Sequence, residues 1–128
     1  MDGLRNHKIY ESFGFAFCGI WQAIKTERNV KIELCCAYLS ISAGVFFRIS
    51  KPEWMALIIM IFAVISAEIF NSAVEAVCNE ERDRCNLPYK ETRLARDIAA
   101  GAVLFLSIGA VILGLVIFTP YLLKMLNY

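Results

Sequence analysis

A strong charge of either sign is missing from this 128-residue chain, in which 13 Lys and Arg stand against 12 Asp and Glu. A net charge of +1 gives no bulk attraction to nucleic acid, so we expect no nucleic-acid partner. The five cysteines lack the paired spacing of a zinc ribbon, which favours packing roles in a reducing compartment. Standard nucleotide motifs are also absent: there is no GxxxxGKS/T, no GxGxxG that opens a helix and no protein-kinase catalytic loop. Any nucleotide chemistry must therefore use a site of an unrelated kind.

Charged residues are few, at 20%, whereas hydrophobic residues make up 59% of the chain and the mean hydropathy is +0.57. A water-soluble domain of this size has too little interior to bury so much apolar surface. We therefore predict an all-α integral membrane protein with one domain over 1–128. The polar N-terminus, MDGLRNHKIYES, has no apolar core followed by a cleavage site, so we expect no cleavable signal peptide.

Apolar runs that could cross a bilayer as helices occur three times, at about 30–50, 54–79 and 98–123. Ahead of them, apolar residues recur at spacings of three and four, which predicts an amphipathic helix over about 9–27. We interpret it as a surface helix in the membrane interface. The alternative, a helix packed on a soluble core, has no such core to pack on. Residues 80–97, rich in charge, are predicted to form a loop.

Lys and Arg residues predict the orientation of the chain in the membrane. Five of them precede the first span and five lie between the second and third, whereas three lie on the opposite side. This asymmetry favours a cytoplasmic N-terminus, a cytoplasmic segment 80–97 and an external C-terminus. Glu27, Glu75 and Asp97 then all approach the cytoplasmic face. The two cytoplasmic groups are Arg5, Lys8, Lys25, Arg28 and Lys31, and Arg82, Arg84, Lys90, Arg93 and Arg96.

Polar residues interrupt the second span, in the stretch AEIFNSAVEAV (67–77) and just beyond it. At about 100° per residue, Glu68, Asn71, Ser72, Glu75 and Asn79 fall on one stripe that rises toward the cytoplasmic face. Carboxylates inside a membrane are costly unless they are paired, protonated or hydrated, and a divalent cation or cationic partner would relieve that cost. Two alternatives stay open: helix–helix contact through the amide and hydroxyl, and a path for protons or cations.

The segments that flank the stripe at the cytoplasmic face are KTERNVKIE (25–33) and CNEERDRCNLPYKETRLARD (78–97). They bring carboxylates and basic groups together. Carboxylates suit Mg²⁺, which takes oxygen ligands, and Arg or Lys suits phosphate oxygens. This combination indicates a metal–polyphosphate ligand, because a bare ion path would not need the basic groups.

Three motifs carry a resemblance to a known family: AEIFNSAVEAV (67–77), KTERN (25–29) and ARDIAAGAVL (95–104). With the order of surface helix and three spans, the chain resembles the small prokaryotic diacylglycerol kinase/undecaprenol kinase family over about residues 9–120. The resemblance implies a homotrimer in the bacterial inner membrane, with its active site facing the cytoplasm. It also implies direct transfer of the γ-phosphate of MgATP to the hydroxyl of a membrane lipid alcohol.

The same resemblance assigns roles to residues of this sequence. Glu68, as general base, and Asn71 are the expected catalytic residues, and Glu27 and Glu75 are the expected ligands of Mg²⁺. The expected nucleotide-binding set is Glu27, Glu75, Asn79, Arg96 and Asp97. The expected lipid-binding set is Glu68, Trp21 and Ser72.

The chain departs from the family pattern at three positions. Asn79 stands where the family usually has Asp, Arg96 where it usually has Lys, and Glu11 where the surface helix often has a basic residue. Arg and Lys are not interchangeable at phosphate sites, so these departures bear on nucleotide binding. TERN and RDIAAGAVL resemble the Gram-positive-type branch, which favours undecaprenol as the lipid, with diacylglycerol second. A non-enzymatic membrane assembly module and a small ion transporter are the competing functions.

Overall fold

Four α-helices account for nearly all of the chain that the computed structural model describes, which is residues 9–86 and 88–126. They are α1 (Ile9–Thr26), α2 (Arg28–Phe47), α3 (Lys51–Cys85) and α4 (Tyr89–Leu126). The predicted all-α class is confirmed. Arg5 and Lys8, which entered the prediction of orientation, lie outside the described residues.

Helices α2, α3 and α4 are long and apolar enough to cross a membrane. With 35 and 38 residues, α3 and α4 measure about 52 and 57 Å at 1.5 Å per residue, against a hydrocarbon core of about 30 Å. The two helices therefore extend beyond the apolar layer. We call the joined ends of α3 and α4, residues 80–97, the helical arm.

The helical arm corrects the prediction of a loop over 80–97, because α3 continues to Cys85 and α4 begins at Tyr89. Charged side chains one turn apart support both helices there: Arg84 Nη1 lies 3.9 Å from Glu80 Oε1, and Arg93 Nε lies 3.3 Å from Asp97 Oδ2. Asn86, with φ of 50°, ends α3 in the left-handed conformation. We interpreted the high density of charged residues as a sign of a loop. In the structure these residues form ion pairs that stabilise exposed helix.

Short connections hold the other helices in place. A single extended residue, Glu27, separates α1 from α2, and Lys31 Nζ donates a 2.7 Å hydrogen bond to the carbonyl of Lys25 at the end of α1. Between α2 and α3, Ser50 and Glu53 form a capping box, in which the Ser50 backbone N–H donates to Glu53 Oε2 at 2.7 Å. The Ser50 hydroxyl also donates to this oxygen at 2.7 Å.

The best-packed region lies at the end of the bundle near the α2–α3 connection. Ile49, Leu57 and Ile117 form its buried core. Gly44 allows α2 and α3 to approach, because a Cβ there would lie 2.9 Å from the Trp54 ring. Elsewhere large apolar side chains such as Phe105 face outward, as expected for surfaces that contact lipid or other protein. That α1 lies in the membrane interface remains a prediction.

Candidate active site

A cleft of about 560 Å³ opens between α2, α3 and α4. Its two ends differ in chemistry. One end is lined by polar side chains from α2 and α3, and the remainder is lined by apolar side chains apart from the hydroxyls of Ser40 and Ser107. The polar end is formed by Asn29, Glu33, Glu68, Asn71 and Glu75.

Three predicted site residues lie together at this polar end: Glu68, Asn71 and Glu75. Glu68 and Asn71 are buried, with 3% and 7% of their surface exposed, although both carry polar groups. The Asn71 amide Nδ2 donates to Glu75 Oε1 at 3.4 Å, and this contact connects the deep end of the stripe with the shallow one. The spacing of three and four residues on α3 places all three side chains on the face that lines the cleft.

Glu33 is a site residue that the sequence reasoning missed. It projects from α2 into the cleft that holds Glu68, and its Oε2 is buried without a hydrogen-bond partner among the described residues. Asn71 Oδ1 is buried and unpartnered in the same way. Buried polar atoms without partners are uncommon in folded proteins, so these two oxygens mark where a polar ligand group would bind. The available signal was the polar pair Asn29 and Glu33, one helical turn apart on α2, whose residues after Glu33 are mostly apolar.

Asn79 and Arg96 form a second group, outside the cleft lining. Arg96 Nη2 donates to Asn79 Oδ1 at 2.8 Å, which joins α3 to α4 at the base of the helical arm. Asn79 follows Glu75 by one turn, so the contact lies about 6 Å further along α3. Asp97 accepts from Arg93 Nε and is exposed. Two positions that the resemblance marks as departures are thus in direct contact.

Three other predicted site residues do not line the cleft within the described part of the chain. The Glu27 carboxylate accepts a 3.2 Å hydrogen bond from Thr26 Oγ1 at the α1–α2 connection. Trp21 is exposed, and the ammonium nitrogen of Lys25 lies 5.1 Å from the centroid of the Trp21 ring. Ser72 directs its hydroxyl to the Glu68 carbonyl at 3.0 Å. Their predicted roles in binding metal and lipid stay predictions.

The oxygen donors at the polar end fit a magnesium ion that is bound jointly with phosphate. No three His, Cys, Asp or Glu side chains cluster as a metal site in residues 9–86 and 88–126. Mg²⁺ usually takes one or two carboxylates and completes its shell with water and substrate phosphates. The Glu75 carboxylate and the unpartnered Asn71 Oδ1 supply such oxygens.

Comparison with known proteins gives the family. A family model described as prokaryotic diacylglycerol kinase matches residues 14–118. The chain belongs to the prokaryotic diacylglycerol kinase family. The undecaprenol kinase of Bacillus subtilis (strain 168) is 32% identical over 116 residues, covering 91% of this chain and 92% of that protein. The diacylglycerol kinase of Synechocystis sp. (strain ATCC 27184 / PCC 6803 / Kazusa) is 31% identical over 116 residues, covering 90% of this chain and 65% of that protein. No solved structure matches.

Membership of the prokaryotic diacylglycerol kinase family confirms the resemblance drawn from the three motifs. The chain is a membrane enzyme of the lipid kinase class, a phosphotransferase with an alcohol acceptor. The matched region, 14–118, contains the whole polar end of the cleft and the helical arm.

Proposed function

We propose that this enzyme transfers the γ-phosphate of MgATP directly to the hydroxyl of undecaprenol, giving undecaprenyl phosphate. The observation that carries the proposal is the two-part cleft, in which the buried carboxyl of Glu68 lies where the polar end meets the apolar length. A lipid alcohol has the same division, with one hydroxyl on a long hydrocarbon chain. Its hydroxyl would lie beside Glu68 and its chain along the apolar walls.

The residues at the polar end suit phosphoryl transfer, which depends on positioning and on charge stabilisation. Glu68 accepts the proton of the lipid hydroxyl as the hydroxyl oxygen attacks the γ-phosphorus, and the bond from that phosphorus to the β,γ-bridging oxygen breaks to release ADP. Asn71, which donates to Glu75 Oε1, helps to fix the position of that carboxylate. Glu75 and Glu27 would hold Mg²⁺, which when bound neutralises charge on the phosphate oxygens. Arg96, Asn79 and Asp97 complete the proposed nucleotide contacts.

The lining of the cleft favours a polyprenol over diacylglycerol. Diacylglycerol carries two ester groups close to its hydroxyl, whereas undecaprenol continues as plain hydrocarbon. The walls beyond Glu68 are mostly apolar, and the two hydroxyls of the lining belong to Ser40, about 10 Å from Glu33 along α2, and to Ser107 on α4. The Bacillus subtilis relative, named undecaprenol kinase, agrees with this choice. Diacylglycerol is the second candidate, because the Synechocystis relative is named diacylglycerol kinase.

A homotrimer in the bacterial inner membrane, with the site facing the cytoplasm, completes the proposal. Within one protomer, Glu27 and Trp21 lie outside the cleft lining that contains Glu75. A neighbouring protomer can bring its own α1 and Glu27 to that cleft. The outward-facing apolar side chains of α2 and α4 provide surfaces for such contacts.

The test is phosphate transfer from γ-³²P-labelled ATP by the purified protein, with undecaprenol and diacylglycerol compared in the same detergent. We expect faster labelling of undecaprenol and near-complete loss with Glu75→Gln. Glu80→Gln is the matched control, because Glu80 is an exposed carboxylate on the same helix outside the cleft. Full activity in Glu75→Gln would contradict the assignment of Glu75 to the active site.

An intact oligomer that labels no lipid would favour the membrane assembly module. ATP-independent cation flux into liposomes would favour the ion transporter.

A further inference from the structure

The guanidinium of Arg96 is held from three directions at the base of the helical arm. Its Nη2 donates to Asn79 Oδ1 at 2.8 Å, and its Nε donates to Thr92 Oγ1 at 3.4 Å. The guanidinium carbon lies 5.2 Å from the centroid of the Tyr89 ring, within the range of a cation–π contact. Asn79 belongs to α3, and Thr92 and Tyr89 belong to the first turns of α4. Arg96 is therefore fixed by both helices.

All the groups that hold Arg96 are uncharged, which distinguishes it from the other arginines of the helical arm. Arg82 pairs with Asp83 at 3.1 Å, Arg84 with Glu80 at 3.9 Å and Arg93 with Asp97 at 3.3 Å. Each of those three has a carboxylate that offsets its charge. Arg96 has no carboxylate partner among the described residues, so its positive charge stays available to an anion.

Arg96 also has N–H donors that the contacts with Asn79 and Thr92 do not use. A guanidinium has five N–H donors in a rigid plane, and Asn79 and Thr92 engage two of them. The others have no partner within the described part of the chain. An arginine that is already ordered loses less side-chain freedom when it binds an anion, and its planar fork matches phosphate oxygens.

We propose that Asn79, Thr92 and Tyr89 are positioning residues that keep Arg96 oriented toward the phosphates of MgATP. The inference rests on the proposed function, to which it adds a role for Tyr89 and Thr92 and a reason for Asn79. Asn79 lies about 6 Å beyond Glu75 along α3, so one polyphosphate chain can reach both Arg96 and the metal-binding carboxylate. The amide of Asn79 holds Arg96 through a neutral hydrogen bond.

Steady-state kinetics at saturating lipid separates positioning from a structural role. For Tyr89→Leu and Asn79→Ala we expect KM for MgATP to rise about three- to tenfold, with kcat within about twofold of the wild type. Tyr89→Phe keeps the ring face and should restore the wild-type KM. Arg84→Ala, which removes an exposed and already paired arginine, is the control that leaves KM unchanged.

A double-mutant cycle shows whether Tyr89 acts through Arg96. Arg96→Ala should raise KM for MgATP by about tenfold or more, and Tyr89→Leu should add nothing further in that background. An unchanged KM in Tyr89→Leu, or effects of the two changes that simply add, would overturn the proposal. So would a joint loss of kcat and of melting temperature in Tyr89→Leu, because it would show that Tyr89 only supports the fold.

Direct nucleotide binding distinguishes failure of this inference from failure of the proposed function. If the wild type phosphorylates no lipid, the proposed function is wrong, and calorimetry with Mg²⁺ and a non-hydrolysable ATP analogue still tests the role of Tyr89. Weaker binding to Tyr89→Leu than to the wild type supports it. Equal binding by both proteins, or no binding by the wild type, overturns it.

Discussion

Tyr121 and Glu53 are 68 positions apart in sequence, and the Tyr121 hydroxyl donates a 2.8 Å hydrogen bond to Glu53 Oε2. The same oxygen accepts hydrogen bonds from the backbone N–H and from the hydroxyl of Ser50. The C-terminal part of α4 is thereby fastened to the first turn of α3 and to the α2–α3 connection. Phe47 adds an aromatic contact, with its ring centroid 5.9 Å from that of Tyr121. These contacts stabilise an end of the bundle that is far from Glu68 in the candidate active site.

Tyr121→Phe should lower stability and leave the chemistry unchanged. The change keeps the ring contacts and removes only the hydroxyl, so we expect the melting temperature in detergent to fall by a few degrees while kcat stays the same. Tyr38→Phe is the matched control, since Tyr38 is an exposed tyrosine whose hydroxyl makes no described contact. Equal melting temperatures for Tyr121→Phe and the wild type would contradict the role given to this bond.

The close approach of α2 and α3 at Gly44 gives a second prediction. A Cβ at this position would lie 2.9 and 3.0 Å from two carbon atoms of the Trp54 ring, so Gly44→Ala should destabilise the protein by about 1–3 kcal/mol. Gly101→Ala is the control, because it gives the same gain in helix propensity where nothing lies within 4 Å of the added methyl group. Thermal unfolding of both variants in one detergent measures the difference. A Gly44→Ala protein as stable as Gly101→Ala would show that the Trp54 ring moves aside without cost.

The sequence predicted much of this architecture because its strongest signals are local. The apolar runs predicted the three spans. The spacing of Glu68, Asn71 and Glu75 predicted that they share one face of α3, and this prediction does not depend on how the other helices pack. Glu33 and the contact between Asn79 and Arg96 could not be found in this way, because they depend on how α2 and α4 pack against α3. The helical arm was missed for a different reason. Its charges pair within each helix, and composition alone does not distinguish paired from unpaired charges.

Two of the three carboxyls of the cleft, those of Glu68 and Glu33, should differ in their effect on turnover. Glu68→Gln removes the proposed proton acceptor, so kcat should fall about 10²- to 10⁴-fold while KM for MgATP changes little. Glu33→Gln keeps an oxygen that can accept a hydrogen bond, so we expect a smaller loss of kcat together with a higher KM for the lipid. Initial rates at varied lipid and varied MgATP separate these effects. A larger loss of kcat in Glu33→Gln than in Glu68→Gln would transfer the role of base to Glu33.

The apolar length of the cleft can be tested by filling it. Ala110 lines the cleft on α4, away from the polar end, so Ala110→Trp should obstruct the lipid chain and leave the phosphate site open. We expect KM for undecaprenol to rise about tenfold or more, with KM for MgATP unchanged. Ala102→Trp is the matched control, because Ala102 is exposed on the same helix and does not line the cleft. A short-chain prenol should escape the obstruction, since its hydrocarbon ends before reaching Ala110. Equal inhibition of the short and long alcohols would mean that the lipid chain follows another path.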